Sequence, residues 1–204
     1  MKIYEDRVAP NPRRVRVFLA EKGITNVEFV PVGIADGGIL APEFLRRNPL
    51  AQVPVLELDD GSHIADSMAI CRYFEYLQPK PELFGESGLD AARVEMWNRR
   101  MEFEIFWPIA NVFRHIHPFF KGKHAQVPEF GEVSRERALK NLDWLDAELA
   151  DGRPFIAGDR YTVADITALC GIDFGRVSGI RVGDERPHLL RWHTAVSARP
   201  SAKA

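Results

Sequence analysis

Asp66 and Ser67 form a polar pair that could bind a small anion. They stand at the beginning of the apolar run 67–77, and this pattern predicts that a helix starts at the pair. The first backbone N–H groups of a helix have no partner within it, and the helix dipole favours a negative charge at that end. An ordinary N-cap, which closes the helix and binds nothing else, explains the same two residues.

Trp107, Asn111 and His115 make a second candidate group. Their spacing of four residues places them on one face of a predicted helix. Such a face could line a binding pocket, although a single histidine on a helix is more often a surface residue or a hydrogen-bonded core residue. Both interpretations stay open at this point.

His115, His117 and His124 could also be read as metal ligands. Residues two positions apart on a helix point about 200° away from each other, so His115 and His117 cannot share one ion there. We therefore expect no metal site.

Cys71 and Cys170 are the only cysteines and form no CxxC pair. Cys71 lies in an apolar helix pattern, which is typical of a small buried hydrophobe.

Two regions of different pattern must position these residues. In residues 1–79, strand patterns at 2–4, 27–32 and 53–58 alternate with helix patterns that begin near Pro12, at 43 and at 67. The turn Asp59-Asp60-Gly61 leads into a further strand at 62–64 and predicts a hairpin. The predicted order is βαβαββα, which is an α/β fold.

The strand patterns stop at a segment rich in proline and glycine. Residues 80–88 have the composition of a linker, and residues 89–204 show helix patterns only, at 89–117, 134–150, 161–178 and 187–196. Pro108 lies inside the first of these helices and predicts a kink. Thr162 and Asp165 occupy the two positions of a capping box. We therefore predict an α/β domain at 1–79 and an all-α domain at 89–204.

The composition restricts the class of protein. The chain has 204 residues, of which 46% are hydrophobic, and this is enough for one or two domains with their own cores. A net charge of −2 argues against a strongly basic surface for nucleic acid. No segment approaches the roughly 20 apolar residues of a transmembrane helix, and the N-terminus lacks the pattern of a secretory signal. We expect a soluble, cytoplasmic protein with neither nucleic-acid nor membrane partners.

Three segments resemble the hallmark segments of the cytosolic glutathione transferases. They are Gln52-Val53-Pro54-Val55-Leu56, Asp66-Ser67-Met68-Ala69-Ile70 and the stretch 158–166 around the capping box. The resemblance extends over nearly the whole chain. It implies a thioredoxin-like N-terminal domain joined to an all-α C-terminal domain, usually in a homodimer. It also implies glutathione as co-substrate, a small hydrophobic electrophile as acceptor, and no metal.

Residues 11–22 are similar to a fungal and bacterial group of that family. This group lacks the customary catalytic Tyr, Ser or Cys after the first strand, and the corresponding loop here is Val8-Ala9-Pro10-Asn11-Pro12. Tyr4 belongs to the strand itself, where we expect it to pack in the core. The group that activates the thiol therefore has to be sought elsewhere.

The resemblance implies binding roles for individual residues. Val53 and Pro54 would be joined by a cis peptide bond, with the backbone N–H and C=O of Val53 turned outward to pair with the cysteinyl residue of glutathione. Ser67 would bind the γ-glutamyl carboxylate and Asp66 the γ-glutamyl ammonium group. The ordinary roles of these residues, a strand-edge proline and a helix cap, are the alternatives.

The glycyl carboxylate at the other end of glutathione needs a separate donor. Gln52 stands where relatives often have Lys or Gln, so it is our first candidate. Arg46 and Arg47 lie nearby and are alternatives, although a pair of arginines is more often a solvated helix face.

Catalysis would require glutathione as a thiolate. A free thiol has a pKa of about 8.5, and lowering it to about 6.5 needs about 2.7 kcal/mol. A helix N-terminus supplies ~0.3–2 kcal/mol, and a hydrogen bond to a charged acceptor ~1.5–3 kcal/mol. We expect both from the helix near Pro12, with the Asn11 side chain or the Arg13 N–H as donor.

The helical domain would complete the reaction. Asn111 and His115 are our candidates for holding a water that assists the thiolate, and Phe103 and Trp107 would form the wall of the acceptor site. The predicted activity is conjugation of glutathione to hydrophobic electrophiles. One alternative is a non-catalytic binding or regulatory module of the same fold, and another is a glutathione-dependent peroxidase or isomerase.

Overall fold

The computed structural model describes the whole chain, from Met1 to Ala204. The chain forms two compact units, one comprising Met1–Glu82 with Lys203–Ala204 and the other Leu83–Ala202. The first unit contains β1 (Lys2–Glu5), α1 (Pro10–Lys22), β2 (Glu28–Pro31), α2 (Pro42–Arg47), β3 (Val55–Glu57), β4 (His63–Ala65) and α3 (Ser67–Leu77). The second contains α4 (Gly88–Arg100), a π-helical segment (Met101–Phe106), α5 (Trp107–Ile116), α6 (Pro128–Glu148), α7 (Val163–Phe174) and α8 (Pro187–Ser197). The predicted order βαβαββα and the predicted all-helical second half are confirmed.

The strands form one mixed sheet in the order β2-β1-β3-β4. β1 and β2 are parallel, which requires the crossover that α1 provides. β3 is antiparallel to both β1 and β4, and the predicted turn Asp59-Asp60-Gly61 joins β3 to β4. The sheet therefore carries a short hairpin at one edge, and α3 follows directly from it.

Side chains of β1 alternate between the two faces of this sheet. Tyr4 packs with Phe44 of α2 and with Val55 of β3, so it is a core residue, as expected. On the opposite face, Glu5 forms a buried ion pair with Arg16 of α1. The two contacts place α2 and α1 on opposite faces of the sheet.

Lys22 closes the end of α1 onto the segment after α3. Its buried ammonium donates to the carbonyl oxygens of Gln78 at 2.9 Å and Pro79 at 3.2 Å, and also to that of Pro81. It forms an ion pair with Glu75 as well. The start of the predicted linker is therefore fixed to the first unit.

α7 is the core helix of the second unit, since all residues at 163–172 are buried. The predicted capping box is present at its start, where a carboxylate oxygen of Asp165 accepts the Thr162 N–H at 2.9 Å. The other oxygen of Asp165 accepts the Ile156 N–H at 2.9 Å and the Trp192 Nε1–H at 2.9 Å. One fully buried carboxylate thus joins α7 to α8 and to the segment before α7.

Pro108 explains the π-helical segment, which lies at the predicted kink. Proline has no N–H, so the carbonyl of Glu104, four residues earlier, has no helical donor. Asn141 of α6 takes that place, because its Nδ2 donates to Glu104 O at 2.7 Å and to Glu104 Oε2 at 3.1 Å. The chain therefore stays helical from 88 to 116, with one wide turn before the proline.

Replacing Asn141 with Ala is expected to destabilise the second unit by about 1–2 kcal/mol, because a part-buried carbonyl then loses its donor. The measurement is urea unfolding followed by circular dichroism. Lys140→Ala, at the neighbouring exposed position of α6, is the matched control and should leave the midpoint nearly unchanged. Equal midpoints for Asn141→Ala and wild type would contradict this account of the π-helical turn.

Several boundaries differ from the sequence-based expectation. α6 begins at Pro128 rather than at 134, because a proline fits the first turn of a helix. β3 is limited to Val55–Glu57, since Pro54 has no N–H for the ladder. Both cysteines are buried, as expected for Cys71, and neither is part of a disulfide. Among the helices, none combines the length and the apolar composition that a membrane crossing demands.

Candidate active site

The loop before β3 is shaped by the buried side chain of Asn48. Its Nδ2 donates to the carbonyl of Gln52 at 2.8 Å, and its Oδ1 accepts the Leu50 N–H at 3.1 Å. Ala51 adopts the left-handed region with φ 53°, which is uncommon for a residue other than glycine. Asn48 thereby fixes the path of the chain into Val53, although no sequence motif marks it.

Val53 lies beside the start of α3. Val55 pairs with Ala65 across the hairpin, and Val53 and Ser67, each two residues beyond this pair, follow at the same end of the hairpin. The Val53–Pro54 peptide bond is cis, as expected. Neither the N–H nor the C=O of Val53 is hydrogen-bonded within the protein, so both are open to an added strand.

The start of α3 is capped by Asp66 and leaves its donors on Ser67. Asp66 Oδ1 accepts the N–H groups of Met68 at 2.8 Å and Ala69 at 3.1 Å, and the Asp66 carbonyl accepts the Ile70 N–H at 3.0 Å. The Ser67 N–H is then the open amide of this helix start. Asp66 is therefore a cap, and its Oδ2 has no protein partner and can still face a cation.

Asp66 also has an unusual backbone conformation, with φ 81° and ψ 124°. A residue with a Cβ pays steric strain at such a positive φ, and strained residues of this kind concentrate at binding and catalytic sites. The strain and the two open donors of Ser67 occur together at the point where the hairpin meets α3.

The start of α1 offers one open amide. α1 begins at Pro10, and the Arg13 N–H donates to the Ala9 carbonyl at 3.3 Å. The alternative in which the Arg13 N–H stabilises a thiolate is therefore wrong, because that hydrogen is already used within the helix. Pro10 and Pro12 have no N–H, which leaves the backbone N–H of Asn11, next to its exposed side chain.

Gln52 is better placed than the two arginines for a carboxylate. The Gln52 side chain is exposed and has no protein partner. The Nε of Arg47 lies 3.3 Å from Glu57 Oε2, and the guanidinium stacks over the Tyr4 ring at 4.4 Å. The Tyr4 hydroxyl also donates to Glu57, at 2.9 Å, and this hydrogen bond is the main cause that lowers the pKa of Glu57. Arg46 is exposed, and Arg47 is engaged in this cluster.

In the second unit, two large aromatic side chains are exposed along one continuous helix. Phe103, in the π-helical segment, is 44% exposed, and Trp107, at the start of α5, is 49% exposed. The guanidinium of Arg99 lies 4.1 Å from the centre of the Phe103 ring, and that of Arg114 lies 5.8 Å from the centre of the Trp107 ring. Asn111 is only 6% exposed, and no protein group is hydrogen-bonded to its side-chain amide.

His115 is tied to the start of α6. Its Nδ1 accepts the Val127 N–H at 3.1 Å, which places the hydrogen of the neutral ring on Nε2. The ring packs against Phe130 at 5.1 Å and His124 at 5.7 Å between ring centres. Burial first, and then the charges of His124 and Arg114, lower the pKa of His115. His115 therefore holds the chain in place through one nitrogen and can bind water only through Nε2.

The hydrogen bond of His115 predicts a pH dependence of stability. Because folding lowers the pKa of His115, its contribution is complete above the unfolded value of about 6.5 and is lost as the pH falls through the folded value. We expect wild type to lose about 0.5–1 kcal/mol more than His115→Gln between pH 7.5 and 5.5, the worth of one hydrogen bond. Urea unfolding at both pH values measures this, and His124 is retained in both proteins. Equal losses of stability in wild type and in His115→Gln would contradict this role of His115.

His117, two residues after His115, is also hydrogen-bonded to a nearby backbone group. His117 Nδ1 accepts the Phe119 N–H at 3.2 Å. No group of three or more His, Cys, Asp or Glu side chains is placed to hold a metal ion.

Apart from Asn11, which lies at the start of α1, the predicted residues fall into two groups. All residues assigned to glutathione lie where β3, β4 and α3 meet in the first unit, namely Gln52, Val53, Pro54, Asp66 and Ser67. Those assigned to the acceptor and to water follow one another along the helix of the second unit, namely Phe103, Trp107, Asn111 and His115. Two residues that contact the first group were not predicted, namely Asn48, which donates to the Gln52 carbonyl, and Arg14, whose Nη1 lies 3.3 Å from Ser67 Oγ. Arg14 lies in a basic run, and such a run usually indicates an exposed helix face.

Comparison with known proteins agrees with this geometry in both halves of the chain. Residues 8–77 match the family model "Glutathione S-transferase, N-terminal domain", and residues 109–200 match "Glutathione S-transferase, C-terminal domain". The chain belongs to the glutathione S-transferase family. The sheet order and the helical second half are those of that family's fold.

Individual relatives of this family are similar over the full length of the chain. Glutathione S-transferase 2 of Saccharomyces cerevisiae is 37% identical over 206 residues, covering 100% of this chain and 88% of the relative. The crystal structure of Gtt2 from the same yeast superposes with a TM-score of 0.94 at 37% identity, covering 100% of this chain and 99% of that one. Elongation factor 1-gamma 3 of rice is 32% identical over 164 residues, covering 79% of this chain but only 38% of the relative.

Proposed function

We propose that this glutathione S-transferase family member binds glutathione on its first unit and transfers it to hydrophobic electrophiles. Residues 1–79 act as the glutathione-binding domain, 80–88 as the linker and 89–204 as the domain for the acceptor substrate. The open N–H and C=O of Val53, at the same end of the hairpin as Ser67, are the observation that carries this proposal.

The shape of glutathione fits the groups left open there. An extended tripeptide adds to Val53 as a short antiparallel strand, and its cysteinyl residue receives both backbone hydrogen bonds. The γ-glutamyl carboxylate accepts the two donors of Ser67, and the ammonium group faces Asp66 Oδ2. Gln52 donates to the glycyl carboxylate. Each charged end of the ligand therefore meets a donor hydrogen or a carboxylate oxygen that no protein group uses.

Stabilisation of the thiolate is assigned to the start of α1. The dipole of α1 and the one open amide, on Asn11, together supply ~2–5 kcal/mol, a range that includes the about 2.7 kcal/mol required to lower the pKa of the thiol. The exposed Asn11 side chain is a second donor. Asn111 and His115 Nε2 are the candidates for holding an assisting water. Phe103 and Trp107 offer the aromatic wall for the acceptor.

The reaction is a nucleophilic addition or substitution. The thiolate sulfur forms a bond to an electrophilic carbon, and in a substitution the leaving group, such as chloride, departs with the electron pair of the broken bond. The protein orients the two reactants and stabilises the anionic sulfur, so no redox step is needed.

Calorimetry with reduced glutathione and a kinetic assay with a chloronitrobenzene test this proposal separately. We expect a saturable binding isotherm and an increase in product absorbance that depends on the enzyme. Absence of binding overturns the whole assignment. A panel of organic peroxides and of isomerisable substrates decides whether a glutathione-dependent peroxidase or isomerase activity exceeds the conjugation.

A non-catalytic module is the second candidate. The similarity to elongation factor 1-gamma favours it, as does the absence of a Tyr, Ser or Cys side chain at the start of α1. Binding of glutathione without turnover of any electrophile would support this candidate. A homodimer is expected in either case from the family, and sedimentation velocity measures it.

A further inference from the structure

Arg14 of α1 is buried directly behind Ser67. The residue is 1% exposed, and its Nη1 lies 3.3 Å from Ser67 Oγ. A guanidinium group carries donors and no acceptor, so the serine oxygen must accept this hydrogen bond. The hydroxyl hydrogen of Ser67 is then left to be donated to another group.

This contact changes the chemistry of the serine. A free hydroxyl both donates and accepts, and it can turn either way towards a ligand. With one lone pair of Ser67 held by Arg14, the hydroxyl hydrogen is directed away from the guanidinium and is available to donate, and the open Ser67 N–H is a second donor on the same residue. Both suit a carboxylate, and the buried positive charge adds to the attraction for an anion.

We propose that Arg14 is a positioning residue for the γ-glutamyl carboxylate. It acts through Ser67, whose hydroxyl it orients, and through its charge beneath the start of α3. This inference rests on the proposed function, since it assumes that glutathione is bound with its γ-glutamyl end at Ser67.

The test compares two ligands on two variants. The first ligand is glutathione, and the second is the analogue in which 4-aminobutyrate replaces the γ-glutamyl residue, so that only the α-carboxylate is missing and the ammonium group is retained. For Arg14→Met we expect the Kd of glutathione to rise about tenfold, the worth of one hydrogen bond to a charged group, and the Kd of the analogue to change less than about twofold. In the conjugation assay, KM for glutathione should rise while kcat stays nearly constant.

Arg16→Met is the matched control, because Arg16 is also a buried arginine of α1 but pairs with Glu5. It should lower the thermal midpoint and leave the ratio of the two Kd values at the wild-type figure. Arg14→Lys retains the charge and a donor, so it should restore part of the lost affinity for glutathione.

The outcomes separate this inference from the proposed function. Failure of wild type to bind glutathione overturns both. Binding by wild type, with equal losses of affinity for the two ligands in Arg14→Met, shows a purely structural role and overturns this inference alone. If Arg14→Met does not fold, the same ratio measured on Arg14→Gln decides, because glutamine removes the charge but keeps a polar side chain, and an unchanged ratio in that variant overturns the inference.

Discussion

Replacing Asp165 with Ala is expected to lower the free energy of unfolding by about 4 kcal/mol, which is a large part of the stability of most domains. The variant loses the acceptor of the Ile156 N–H, the Thr162 N–H and the Trp192 Nε1–H, all of which are buried. Each buried donor without an acceptor costs ~1–3 kcal/mol. Differential scanning calorimetry should show a fall in Tm of about 10 °C.

Asp159→Ala is the matched control, because Asp159 is exposed and lies a few residues away, and it should change the free energy of unfolding by less than about 0.5 kcal/mol.

Asp165→Asn provides a second test, the pH dependence of stability. Burial raises the pKa of Asp165 to about 6 in spite of its donors. The carboxyl group therefore favours the folded state most at low pH, and this contribution is lost as the pH rises through 6. Relative to Asp165→Asn, wild type should gain up to about 3 kcal/mol between pH 7 and 4. If the free energy of unfolding depended on pH equally in wild type and in Asp165→Asn, this would contradict the raised pKa of Asp165.

Replacing Ser67 with Ala is expected to weaken glutathione binding by about 10–100-fold, because a hydroxyl donor to a charged carboxylate is worth ~1.5–3 kcal/mol. The backbone N–H of the residue remains, so some binding should persist. Calorimetry gives the Kd, and the KM for glutathione in the conjugation assay should rise in parallel.

Ser62→Ala is the control for this effect. Ser62 lies in the hairpin that leads into α3, but its exposed hydroxyl donates to Asp60 and lies outside the proposed site. Its glutathione Kd should equal that of wild type. An unchanged Kd in Ser67→Ala, with the fold intact by circular dichroism, would remove Ser67 from the carboxylate site and with it the proposed orientation of the ligand.

The order of elements was readable from the sequence because each element carries a local signal. α3 was predicted with its observed ends, since the polar pair Asp66-Ser67 precedes an uninterrupted apolar run. The capping box at Thr162 was readable for the same reason. The π-helical turn was foreseen only as a kink, because its form depends on Asn141, which lies in another helix and supplies the missing donor.

The site was predictable as far as single segments determine it. Gln52, Val53 and Ser67 belong to contiguous motifs, whereas the hydrogen bonds of Asn48 and Arg14 join segments that no local pattern relates. The occupied N–H of Arg13 could not be foreseen because the first turn of α1 starts at Pro10, earlier than the apolar pattern suggests. Which donors remain free is decided by such contacts, and a linear motif does not contain them.

The two prolines in the first turn of α1 have a consequence for selectivity. Helix starts that capture phosphate present several consecutive amide hydrogens, one for each oxygen of the anion. Pro10 and Pro12 leave α1 with a solitary backbone amide hydrogen, which can satisfy a monatomic acceptor such as sulfur but not each oxygen of a polyoxyanion. Nucleotides and phosphorylated metabolites therefore gain little at this position, and the helix is matched to a ligand that presents one anionic atom.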